Sequence, residues 1–159
     1  MARAKHYQAS TYKARTSVGY LVKRAQTAMV NGIEPAFAEH GFNLMQWIVL
    51  IYLRDGIALN AKDICAEFQY NSGALTRVID QLEERGYIER RRSRNDRRSV
   101  ELHLTDSGRE LVKSLVPVVV DRLNQALSDF TRAEVSELTR LLNKLIAGSQ
   151  SMASAGEAA

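Results

Sequence analysis

Seven arginines fall between Arg85 and Arg98, inside the stretch ERGYIERRRSRNDRRSVELHLT that spans residues 84–105. Guanidinium groups are permanently charged forks that match pairs of phosphate oxygens. The chemistry on offer is therefore the grip of a polyanion. Against Glu89 and Asp96 the run carries a local net charge of +5, whereas the rest of the chain nets −1 out of a total of +4. A charge run is most often a solvated face. Here its single sign and its neighbours favour contact with nucleic acid. Just upstream, Ser72, Gly73, Thr76 and Arg77 share the outward side of the first half of a helical pattern. Small, hydroxylic and basic groups there suit the edge of a DNA groove. Arg77 is the candidate for bidentate contact with a guanine, with a phosphate contact or a pair with Asp80 or Glu84 as the alternatives.

Other reactive residues are sparse. Cys65 is the only cysteine, so no intrachain disulfide forms. It shares a helical face with Ile64 and Phe68, which favours a buried structural thiol over a redox switch. His6, His40 and His103 are widely spaced and make no metal-ligand motif. No arrangement of Ser, His and Asp and no glycine-rich phosphate loop indicates catalysis, so neither enzyme activity nor a cofactor or metal is expected. Trp47 reads first as core and second as the wall of a pocket for an aromatic ligand. Arg24 and His40 are the candidates to hold that ligand's carboxylate.

These residues need elements to carry them. At 159 residues, with 45% apolar and 25% charged residues, the chain fits one globular domain with a real core. Its longest apolar run, LMQWIVLIYL at residues 44–53, is half a membrane span and reads as a central helix. The basic N-terminus lacks the apolar core of a secretory signal, so the expected location is cytoplasmic, with no membrane partner.

A first helix is predicted over residues 13–40, bent or broken by Gly32 and Pro35 before Phe37. Asn60 with Asp63 caps a helix whose face of Ala61, Ile64, Cys65 and Phe68 is buried. The next helix, Ser72 to about Arg85, turns Leu75, Val78, Ile79 and Leu82 inward. Its outward residues change from basic and hydroxylic to Asp80, Glu83 and Glu84, so only its first half suits phosphates. After Gly86, YIERR and RSVELHL make two strands, with Val100, Leu102 and Leu104 alternating inward. Two short helices followed by a hairpin constitute a winged helix-turn-helix over about residues 44–105.

Ser107 with Glu110, and Thr131 with Glu134, read as capping boxes of two further helices over residues 106–147, the first kinked at Pro117. A basic extension (1–12) and a disordered tail (148–159) flank the single domain at 13–147. Helices 13–40 and 106–147 carry more apolar face than a winged module needs, which a symmetric dimer absorbs. The fold class is thus mainly α with a small β-hairpin wing and dimerisation helices at both ends.

The run LTRVIDQLEERGYIERRRSRNDRRSVELHLTDSGRELV resembles the MarR family of bacterial transcriptional regulators. The resemblance rests on Leu75, Thr76, Arg77, Asp80, Leu82, Glu83 and Gly86, on Asp96 and Arg98 of a D-x-R motif, and on LHLTDSG from Leu102 to Gly108. It extends loosely over about residues 15–147. It implies an obligate homodimer on a roughly two-fold symmetric operator in double-stranded DNA. It also implies release from DNA by a small phenolic or carboxylate ligand. Carried onto this chain, it puts wing residues Arg94, Asn95, Arg97 and Arg98 on the minor groove and backbone, with Asp96 orienting the wing through an arginine. The N-terminal cysteine of peroxide-sensing relatives is missing, which counts against oxidant sensing. A sequence-specific repressor is the leading reading. An architectural DNA-binding protein without effector, or a regulator that senses redox through Cys65, is the rival.

Overall fold

The computed structural model describes residues 5–68, 71–93 and 99–157, with side chains to residue 152. It divides at Arg122 and Leu123, inside the fifth helix, into two compact units.

The first unit holds the winged module and the helix that precedes it. After a 3-10 turn at Ala14–Thr16, α1 runs Val18–Glu39. Ser17 caps it by accepting from the Tyr20 amide, and the Tyr7 hydroxyl accepts from the Val18 amide at 2.9 Å. The break expected between Gly32 and Phe37 does not occur, since α1 continues through Pro35. Proline removes one helical donor. Burial of Ala36 and Phe37 outweighs that loss, with Phe37 stacked on Trp47 at 5.7 Å.

Helix α2, Leu44–Asp55, is the central helix that its apolar run predicts. Asn43 and Gln46 form a capping box at its start, and the Gln46 amide group donates to Gln81 at 3.1 Å, which satisfies a buried polar side chain. Helix α3, Ala61–Phe68, is capped by Asn60, whose side chain accepts from the Asp63 amide at 2.9 Å. Ile64 is fully buried, but Phe68 is 37% exposed, against expectation. It is the last residue of its helix and packs in a T-shaped contact with Tyr52.

Helix α4, Ser72–Glu84, buries Leu75, Val78, Ile79 and Leu82 and no others, as its spacing requires. Gly86 then turns the chain at φ +74°, a left-handed conformation that costs glycine least. Strands β1, Ile88–Arg92, and β2, Val100–Leu104, pair antiparallel with Ile88 opposite Leu104 and Arg92 opposite Val100. The Leu102 amide also donates to the Leu59 carbonyl at 2.8 Å, tying the hairpin to the connector before α3. Leu102 and Leu104 are buried as expected, whereas Val100 is exposed at the tip end of the ladder, where the core has run out.

Helix α5 spans Asp106–Ala126 without interruption at Pro117. Its cap is Thr105, not Ser107. The Thr105 hydroxyl donates to the Gly86 carbonyl at 2.7 Å and accepts from the Gly108 amide at 3.0 Å, so one side chain joins the helix start to the turn after α4.

The second unit comprises the end of α5 and helix α6, Arg132–Glu157. Thr131 and Glu134 form the expected capping box. The helix continues to Glu157, where the composition after Gly148 predicted no structure. Once nucleated, alanine-rich sequence propagates a helix at little cost.

Candidate nucleic-acid interface

The recognition surface starts with α4. Asn71 caps it, accepting from the Ala74 amide at 3.1 Å, and the helix N-terminus carries partial positive charge. Burial of the leucine and isoleucine face fixes the roll of the helix, so Ser72, Gly73, Thr76 and Arg77 all emerge together on the exposed side. The Thr76 hydroxyl donates to the Ser72 carbonyl at 2.9 Å, which leaves its oxygen lone pairs and methyl group outward. Arg77 pairs with neither Asp80 nor Glu84, and no other described residue bonds its guanidinium. A free fork thus stands on the half of α4 where anions are welcome.

The other half is acidic but not bare. Arg90, from β1, reaches back across the turn to ion-pair with both Asp80 and Glu83, and its backbone amide donates to Glu83 at 3.1 Å. Burial pulls the Arg90 guanidinium down, but its hydrogen bonds to the two carboxylates and their charges outweigh this and hold its pKa above the usual arginine value.

Arg85, although exposed, is likewise engaged by the protein's own groups. It lies 4.0 Å over the Phe42 ring, faces Tyr87 at 5.2 Å and donates to the Gly41 carbonyl at 3.0 Å. Arg91 pairs with Glu89 on its own strand. The arginine cluster, uniform in sequence, therefore divides in space between internal clamps and outward charge. The sequence signal for the Arg90 clamp was the acidic end of α4, which needs a counter-charge. Nothing local marked Arg85, because Phe42 lies 43 residues upstream.

The hairpin closes where the buried Ser93 donates its amide to the Ser99 carbonyl at 3.0 Å. Arg94, Asn95, Asp96, Arg97 and Arg98, the expected wing contacts and wing-orienting residue, lie between those two serines and outside the described residues.

The three residues nominated for a ligand pocket do not come together within the chain. Trp47 is buried and stacked on Phe37, in the core rather than on a pocket wall. His40 is the exposed cap residue at the end of α1. Arg24 lies 16 residues earlier on that helix, about 24 Å by helical rise. It lines a cleft of about 280 Å³ with Tyr20, Lys23, Thr27, Ala28 and Asn31. A second cleft, of about 390 Å³, lies among Glu34, Asn43, Leu44, Met45, Phe68 and Val78.

Cys65 is half-buried and packs against the core. Among the described residues no cluster of three metal-ligating side chains exists, and no helix is long and apolar enough to cross a membrane.

Known proteins share both sequence and architecture with this chain. The profile of the MarR family matches residues 40–99, which carry α2, α3, α4 and the first strand of the wing. The HTH-type transcriptional regulator YkoM of Bacillus subtilis is 36% identical over 106 residues, covering 67% of this chain and 69% of its own length. Among solved structures, BpsR of Bordetella bronchiseptica, described for the regulation of its DNA binding by 6-hydroxynicotinic acid, superposes with a TM-score of 0.73 at 27% identity. That match covers 84% of this chain and 96% of BpsR. A cysteine-to-serine mutant of Escherichia coli MarR in complex with operator DNA superposes with a TM-score of 0.70 at 25% identity, covering 80% and 92% of the two chains. With the identity to YkoM, the matched winged module and the shared fold in agreement, this chain belongs to the MarR family of transcriptional regulators.

Proposed function

We propose that the protein is a homodimeric repressor that reads a pseudo-palindromic operator in double-stranded DNA and leaves it when a small aromatic acid binds. The observation that carries this reading is Arg77. It is exposed on the anion-favouring half of α4 with no partner among the described residues, beside Ser72, Gly73 and Thr76. In this reading the first half of α4 enters the major groove, where the Arg77 fork meets two acceptors of a guanine. The wing residues Arg94, Asn95, Arg97 and Arg98, oriented by Asp96, lie along the minor groove and backbone. Two copies related by a two-fold axis present two such helices about 34 Å apart, one turn of duplex.

For the effector, support comes from the α1 cleft, where Lys23 and Arg24 supply two cations beside Tyr20. A carboxylate with an aromatic ring matches that lining, and BpsR is itself regulated by such an acid. Release then follows from differential affinity: the ligand favours a spacing of the two α4 helices that DNA does not.

The test is selection of bound DNA from a random pool, followed by gel shifts with and without aromatic acids. Arg77→Ala is expected to flatten preference at one base position in each half-site, a loss of about 1–3 kcal/mol in discrimination there. Equal competition by random DNA would instead support an architectural protein, and unchanged preference in Arg77→Ala would remove this residue from the readout.

A further inference from the structure

We infer that Arg90 is a positioning residue of the DNA-binding surface, which acts on DNA only through Asp80 and Glu83 of α4. This rests on the DNA-binding reading above and assigns Arg90 a role other than contact with phosphate. By its place in the sequence Arg90 belongs to the charge cluster that grips phosphate. Its guanidinium instead spans both carboxylates, one through each terminal nitrogen, while its main-chain amide donates to Glu83. Only about a third of the side chain is exposed. Two of its five N–H groups are taken by these carboxylates, and a phosphate would have to compete with both for its charge.

Two consequences follow from the same three bonds. First, the bonds join β1 to α4 across the Gly86 turn, which sets the direction of the wing relative to the reading helix. The Leu102–Leu59 bond and the buried Ile88, Leu102 and Leu104 seat the base of the hairpin, and the Arg90 bridge adds a fixed link to the reading helix, so that wing and helix meet one duplex together. Second, the bonds offset one of the two negative charges on the surface that carries Arg77 and hold both carboxylates against a cation. Asp80 is one helical turn from Thr76 and three residues from Arg77, so unpaired it stands within the field of any phosphate that Arg77 approaches. Glu84 has no such clamp among the described residues, but it lies at the far end of α4.

A double-mutant cycle on the full-length protein tests this, with binding to the selected operator as the readout. Arg90→Met in the wild-type background is expected to weaken binding about tenfold, within the range over which contacting residues couple. In an Asp80→Asn, Glu83→Gln background the same change is expected to cost less than about threefold. The neutral amides keep the shape of the bridge yet leave no charge for Arg90 to mask.

Arg90→Lys supplies an independent reading. Lysine keeps the charge that a phosphate needs but cannot span two carboxylates as a fork, so binding is expected to fall severalfold. Thermal melts and sedimentation of each variant establish that it folds and assembles, and the lysine variant serves if the methionine variant does not fold. An equal cost of Arg90→Met in both backgrounds, no cost in the first, or full affinity of Arg90→Lys would each overturn the proposal. Failure of the wild-type protein to select DNA falls on the DNA-binding reading itself, so the two failures are distinguishable.

Discussion

At the scale of single residues, side chains of one type do different work according to what lies across from them. Arg77, Arg85 and Arg90 lie within 14 positions of one another and carry the same charge. Arg85 spends its charge on the Phe42 and Tyr87 rings and the end of α1, Arg90 on two carboxylates, and Arg77 on nothing in the described protein. Gly108 is the clearest case of a residue chosen for what it lacks. A Cβ placed there falls 2.0 Å from the Tyr87 carbonyl oxygen, which is backbone and cannot rotate away. The close approach is imposed by Thr105, whose hydroxyl holds the start of α5 against Gly86. Gly108→Ala is therefore expected to destabilise the winged module by roughly 1–3 kcal/mol, the usual range for overpacking a tight site. A denaturant melt that shows no loss would mean that α5 shifts freely, and the joint at Thr105 is not tight.

At the scale of elements, helical spacing and terminating glycines were realised in α4, whereas the prolines interrupt neither α1 nor α5. Helix α4 follows its i, i+3, i+4, i+7 pattern residue for residue, and Gly86 ends it. Helix α1 ignores Pro35, because two buried residues beyond the proline anchor its last turns. The start of α6 is set by Thr131 and Glu134. The Glu134 carboxyl accepts from the Thr131 amide, and secondarily from its hydroxyl, and both lower its pKa below the ordinary 4.5. A carboxylate whose folded pKa is depressed contributes above its unfolded value and loses that contribution as pH falls through the folded one. Acidification below about pH 4.5 is thus expected to fray the start of α6, seen as faster amide exchange at Arg132–Glu134. Glu134→Gln is expected to remove that pH dependence. If both proteins respond alike to acid, this box does not govern the helix start.

At the scale of the molecule, the chain leaves apolar surface that no described element covers. On α1, Val18, Leu21, Val22 and Met29 are exposed, and on α6 so are Leu138, Leu141, Leu142, Leu145 and Ile146. The α6 set recurs at helical spacing, so it forms a stripe and not a scatter. A soluble protein rarely leaves such stripes open. In the dimer proposed above, each is covered by the second copy. Leu142→Glu with Leu145→Glu is expected to convert the dimer to monomers in sedimentation and to weaken operator binding by orders of magnitude, since one half-site then binds without the other. A double variant that remains dimeric on DNA would place the interface elsewhere.

The sequence by itself determined the winged fold, the central place of α2, the buried face of α4 and the family. All of these depend on local periodicity, capping and motif, which act over a few residues. It left Trp47 between core and pocket wall, and it did not reveal that Thr105 rather than Ser107 starts α5 or which arginines are free. Those were decided by residues far apart in sequence: Phe37 on Trp47, Gly86 on Thr105, Phe42 on Arg85, Asp80 on Arg90. Charge and apolarity are properties of a residue, whereas availability depends on the partner that folding places opposite it. For that reason the arginine cluster was legible as a nucleic-acid signal while the division of labour within it appeared only in three dimensions.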